Sequence, residues 1–278
     1  MADESEATAS NLTPADEPGA PPRETETLND PAARPEEPLE DEEMPLADHI
    51  EEMVKRLAVV IAIAGTITAV VLPFSEQVIN FLWYNIIPFD QLGEQARPRI
   101  YHPLALVLTK LKVGSLAGIV VALPVFVYQT YLFMRPGLYP HERRYYLAAV
   151  PTSLILAVVG VSFAFFLVLP AVFTYFISYT EGAAQLAFGL TKTFNLILML
   201  MGYLAVVFQI PLFIMLAIMM GLTTRQWLAD RRLLFWGAFL GISFLFTPDP
   251  TGMAPILVTL TMITLFEGTL ALLKWTGN

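Results

Sequence analysis

No cysteine occurs among the 278 residues, and charged residues make up only 15% of the chain. The first absence excludes disulfides, thiolate metal sites and thiol nucleophiles. The second is incompatible with a water-soluble domain of this size, in which about a quarter of the residues would be charged. Histidine is nearly missing too. His49, His102 and His141 are far apart, and there is no HExxH, no Gly-rich phosphate loop and no GxSxG elbow, so neither a metal nor a hydrolytic centre is expected. What is plentiful is apolar: 55% of the residues are hydrophobic and the mean hydropathy is +0.59.

The formal net charge of −9 is unevenly placed. Residues 1–48 carry 15 Asp and Glu against 2 Arg, a net of −13, whereas residues 49–278 carry 10 acidic against 14 basic, a net of +4. The first segment also holds 8 of the 21 prolines and no aromatic residue. It cannot bury enough apolar surface to offset its ordering entropy, so it is expected to be a disordered, acidic cytoplasmic tail without a signal peptide.

From Leu57 onward the uncharged stretches approach or exceed the ~20 residues that cross a bilayer as a helix: Leu57–Ser75, Val113–Met134, Tyr145–Thr180 and Thr193–Thr224. Leu233–Pro248 and Pro250–Phe266 are near the lower limit of ~17 and suit short helices. The expected fold is therefore all-α, a polytopic membrane protein with six transmembrane helices in residues 49–278. Helix is required because lipid offers the backbone no hydrogen-bond partner. Nine basic residues against five fall on the side that places both termini in the cytoplasm, by the positive-inside rule. Between the first two spans, Glu76–Ile87 sets Val78, Ile79, Leu82, Trp83 and Ile86 on one stripe of an interfacial helix. Pro170 is expected to end the third helix, with the following residues folding over the outer surface.

The few ionisable residues carry the functional question. Asp48 and Glu51 have the spacing of a capping box, and Glu52 stands four residues before Arg56, as in an i,i+4 ion pair. Glu142 lies beside Arg143 and Arg144 in a basic turn, where a loop ion pair competes with a specific use of the carboxylate. Glu181 and Glu267 are costly at membrane depth and are functional or structural candidates. Gln129 and Gln209 read as interhelical hydrogen-bonding groups. Thr247-Pro248-Asp249-Pro250 reads as a tight outer turn.

Together these clusters resemble the TatC family of the twin-arginine protein translocase. The resemblance covers about residues 45–275. It rests on His49-Ile50-Glu51-Glu52 through Leu57, on Tyr128-Gln129, on Phe133 through Arg144 with its Leu-Tyr-x-His-Glu-Arg-Arg string, on Phe208-Gln209-Ile210-Pro211 and on Thr247-Pro248-Asp249. It departs from the family pattern at Val54, Gln209 and Met253. It implies a non-enzymatic receptor without cofactor or nucleic acid, located in the cytoplasmic membrane. Glu52, Glu142 and Phe133 would bind the paired arginines of a signal peptide, Glu181 and Gln129 would be intramembrane polar groups, and Thr247 and Asp249 would lie at a partner contact. The implied partners are twin-arginine precursor proteins, TatA-type single-span subunits with TatB where present, further copies of the chain and membrane lipid, and export would draw on the proton-motive force. Lysine supplies only 5 of the 16 basic residues, which with the acidic tail fits an archaeal, haloarchaeal member. The alternative class is a small-solute transporter or channel using Glu181 and Glu267.

Overall fold

Hydrocarbon leaves a backbone nothing to bond but itself. Among the described residues the chain accordingly forms helices, and its one extended pairing is an isolated bridge between Arg99 and Gly189. The computed structural model describes residues 46–87, 93–180, 187–247, 249 and 251–276; the tail up to residue 45 and Glu181 lie outside the described residues. The helices are α1 (Leu46–Val71), α2 (Ser75–Ile86), α3 (Ala105–Met134), α4 (Pro140–Phe163), α5 (Leu169–Thr180), α6 (Leu190–Val207), α7 (Ile210–Met219), α8 (Arg225–Asp230), α9 (Arg232–Phe246) and α10 (Met253–Thr276). Five helical stretches are long and apolar enough to cross a membrane: 50–86, 105–137, 142–180, 190–219 and 253–276. A sixth, α9, is apolar but shorter.

The centre of the bundle is α6, whose Phe194, Ile197 and Leu204 are completely enclosed. Trp83 of α2 stacks on Phe194 at 5.8 Å, and its indole N–H donates to the Ala96 carbonyl at 3.0 Å. The interfacial stripe read from the sequence is thus the buried face of α2. Two loops on this side are tied by the bridge, in which the Arg99 N–H donates to Phe188 and the Leu190 N–H donates to Arg99.

Small residues bring helices together where lipid supplies no hydrophobic drive. A Cβ on Gly118 of α3 would run into the Ala64 carbonyl oxygen and the Thr68 hydroxyl of α1, and one on Gly160 of α4 would sit 2.6 Å from the Leu204 carbonyl of α6. At the break between α6 and α7, Pro211 lacks an N–H and the helix cannot run straight through. Gln209, 1% exposed, fills the gap: its amide donates to the carbonyls of Ala205 and Ser153, and its own carbonyl accepts from the Ser153 hydroxyl at 2.9 Å.

Three expectations need correction. Pro170 does not end the third span. Residues 164–168 form a π turn, with the Leu169 N–H bonded to Ala164, and the helix runs on through Thr180. A π turn directs carbonyls to the fifth residue along, so the N–H that Pro170 lacks is not required where an α-helix would require it. Nor is the last span short: α10 has 24 residues because Glu267, about two and a half turns from its end, is paired within the bundle. Finally, α1 starts at Leu46, upstream of Asp48, so no capping box forms there, and Glu51 instead pairs with Lys55 at 2.7 Å.

Candidate functional site

A polar turn joins α3 to α4. The chain leaves α3 at Met134, makes one 3-10 turn over Arg135–Gly137 and enters α4 with Pro140 at its first position, where a missing N–H costs nothing. Glu142 occupies the third helical position, and its Oε2 accepts the Tyr139 backbone N–H at 2.9 Å. Arg143 does not pair with it. The Arg143 guanidinium donates to the carbonyls of Leu138 and Arg135, at 3.2 and 3.1 Å, closing the turn from its other side. Beneath lies a small core of Val127, Tyr131, Leu138 and Tyr146 with Leu212 and Leu216. Among the described residues no cation is paired with Glu142. The loop ion pair weighed from the sequence is thus replaced by backbone bonding.

Glu52 lies at the same end of the bundle, on the first turns of α1. Its Oε1 accepts both the Nε–H of Arg56, at 3.0 Å, and an Nη2–H of the same guanidinium. The i,i+4 pair expected from spacing is present. Just beyond it, α1 and α3 enclose a groove of about 310 Å³, walled by Met53, Leu57, Phe126 and Phe133, with Arg56, Gln129 and Thr130 as its polar lining. Phe133 belongs to both neighbourhoods: it faces α1 across the groove, and it precedes the turn that carries Glu142. Gln129 lines this groove and makes no hydrogen bond to another helix among the described residues, where the interhelical role expected of both glutamines falls to Gln209.

The remaining candidates are separate from this site. Asp249, 6% exposed, caps α10: its Oδ1 accepts the backbone N–H and hydroxyl of Thr251, at 2.8 and 2.6 Å, and its Oδ2 accepts the Ala254 N–H at 2.8 Å. Thr247, 7% exposed, keeps a hydroxyl with no hydrogen-bond partner among the described residues. Glu267 joins α10 to α9, accepting the Trp236 indole N–H at 3.2 Å and pairing with Arg232 at 3.8 Å. Glu181 lies outside the described residues. Sequence reasoning missed Arg143 as the fastener of the turn, and it missed Met53, Leu57 and Phe126. Arg143 could have been found from a basic side chain one turn past a Pro-Gly corner. The three apolar residues give no signal, because any helix in lipid has such residues all round. Among the described residues no group of His, Asp and Glu could hold a metal ion.

Comparison with known proteins bears on this geometry. Residues 48–260 match the family model of the Sec-independent protein translocase protein (TatC). The chain is 65% identical to the Sec-independent protein translocase protein TatCo of Haloferax volcanii, over 87% of this chain and 60% of that protein, so it spans less than two thirds of that relative's length. It is 33% identical to the TatC protein of Methanocella arvoryzae, over 88% of this chain and 99% of that one. A crystal structure of the twin arginine translocase receptor TatC shares the fold, with a TM-score of 0.71 at 23% identity over 83% of this chain and all of that one. A family match over most of the chain, a haloarchaeal relative at high identity and a common fold lead to one conclusion: the chain belongs to the TatC family.

Proposed function

We propose that this chain is the twin-arginine signal-peptide receptor and core subunit of a Sec-independent translocase, a non-catalytic protein that recognises folded cargo by its signal. One observation carries the reading. Glu52, on the first turns of α1, already holds a guanidinium beside an apolar groove that ends at Phe133, and Glu142, on a different helix, caps the turn that follows Phe133. A guanidinium is planar, permanently charged and able to engage a carboxylate through two parallel N–H groups in one rigid fork, a geometry an ammonium lacks. Two carboxylates would therefore read two arginines, and the groove would take an apolar side chain of the signal.

In this reading six helices cross the cytoplasmic membrane, α9 being the short one, and both termini are cytoplasmic. Arg135, Arg143, Arg144, Arg225, Arg231, Arg232 and Lys274 would then lie inside, as the positive-inside rule requires. TatA-type single-span subunits would pack near Thr247 and the turn that Asp249 shapes, and the proton-motive force would drive export. The carboxylate of Asp249 is fully occupied in its own turn, so the unpaired Thr247 hydroxyl is the group left for a partner. The solute-transporter alternative is not favoured, since Glu267 is engaged by Trp236 and Arg232.

The test is binding of a signal peptide to the detergent-solubilised protein. Capture of an Arg-Arg peptide but not its Lys-Lys variant, abolished by joint Glu52→Lys and Glu142→Lys, is the expected result. Equal binding of both peptides, or full binding by the double variant, would falsify the two-carboxylate site.

A further inference from the structure

A second groove lies on the other half of the bundle. It occupies about 600 Å³ between α3 and α6. Leu116 and Ile119 form one wall, Met199 and Val206 the other, and Tyr203 and Phe246 close its deep end. It exists because α9 is short: the helix stops at Phe246, whose ring lies 6.4 Å from Tyr203, and leaves the part of α6 nearer Leu190 uncovered. At the mouth, Lys112 of α3 donates to the Asn195 side-chain carbonyl at 2.5 Å, and Lys192 stands one turn above Asn195 on the same face of α6. Both lysines are exposed. Among the described residues neither is paired with a carboxylate, whereas Lys110, two residues from Lys112, is neutralised by Glu76 at 2.7 Å.

The length of the groove decides what it fits. From Asn195 to Val206 is eleven residue steps, about 16 Å at ~1.5 Å per residue. The hydrocarbon core is ~30 Å thick, so the groove spans one leaflet and not two. A transmembrane helix would outrun it, while one lipid chain would fill it from headgroup depth to midplane. Two cations at the headgroup end, unneutralised among the described residues, call for an anion.

We propose that this groove is a site for a single anionic phospholipid of the leaflet opposite Glu52 and Glu142. One acyl chain lies along Leu116, Ile119, Met199 and Val206, and the phosphate is set against Lys112 and Lys192. The proposal rests on the chain lying in a bilayer and not on signal-peptide recognition, so the two can fail separately.

The test is native mass spectrometry of the full chain in mild detergent, titrated with phosphatidylglycerol or phosphatidylcholine. One equivalent of phosphatidylglycerol is expected to survive dissociation, with phosphatidylcholine lost. Lys112→Gln with Lys192→Gln should weaken retention about tenfold or more, and Lys110→Gln should leave it unchanged. A photoreactive residue in place of Met199 should gain the mass of one lipid when irradiated in membranes. Equal retention of the two lipids, wild-type retention by the double variant, equal loss with Lys110→Gln, or a protein adduct in place of lipid at position 199 would each overturn the proposal.

Discussion

Glu52 and Arg56 are joined within a single helical turn through one carboxylate oxygen, Oε1, which takes both guanidinium contacts and leaves Oε2 unbonded by arginine. An arriving arginine thus meets a carboxylate that is half occupied by a resident competitor. Arg56→Gln removes the competitor without removing the carboxylate. It should tighten binding of an Arg-Arg signal peptide several-fold, whereas Glu52→Gln should weaken it about tenfold. Fluorescence anisotropy of a labelled peptide against both variants measures this, and tighter binding by Glu52→Gln would contradict it.

Glu142 has two duties that substitutions can separate. Its carboxylate caps the start of α4 through Tyr139, and it is the second proposed ligand. Glu142→Gln can still accept the Tyr139 N–H, so the melting temperature should hold while peptide binding falls. Glu142→Ala should lose binding and in addition about 0.5–2 kcal/mol of stability. Equal melting temperatures for the two variants would assign the cap no weight.

The contact of α1 with α3 depends on the absence of a side chain at Gly118. Gly118→Ala drives a methyl group into the Ala64 carbonyl and the Thr68 hydroxyl, and should destabilise by about 1–3 kcal/mol. Gly65, which has open space where a Cβ would sit, provides the control, because Gly65→Ala should be neutral or stabilising by up to ~1 kcal/mol through helix propensity. Thermal unfolding in detergent ranks the pair.

Gln209→Leu strips two donors and one acceptor from a fully enclosed site, leaving the Ser153 hydroxyl and the Ala205 carbonyl without partners. A cost of roughly 2–3 kcal/mol is expected. Gln209→Glu keeps the shape but replaces the donating amide with an acceptor, and should be at least as damaging near neutral pH. In a double-mutant cycle Ser153→Ala should lose most of its effect in the Gln209→Leu background. Additive losses would mean that the two residues act separately.

Hydropathy made the long helices legible because lipid imposes both helix and length, and the stripe on α2 could be read because an interfacial helix has only one wet face. The continuation past Pro170 was not legible, since proline normally interrupts a helix and the π turn that accommodates it leaves no compositional trace. The length of α10 was misjudged because Glu267 resembles an end until its partners on α9 are known. At the site, Glu52 and Glu142 stood out as carboxylates set among arginines. The direction of their hydrogen bonds did not, because spacing shows which residues can meet and not whether a carboxylate prefers backbone or guanidinium.

The π turn at residues 164–168 has a consequence for chain length. Such a turn holds one residue more than the α-helix it interrupts. Deleting a residue in α4 would swing everything beyond it by about 100°, carrying Val172 and Phe173 out of the core and toward lipid. Deleting one within the turn would let the ladder close as ordinary α-helix while Val172 and Phe173 kept their bearing, at the cost of a strained Pro170. The segment is a place where this span can lose a residue and still present the same face to its neighbours.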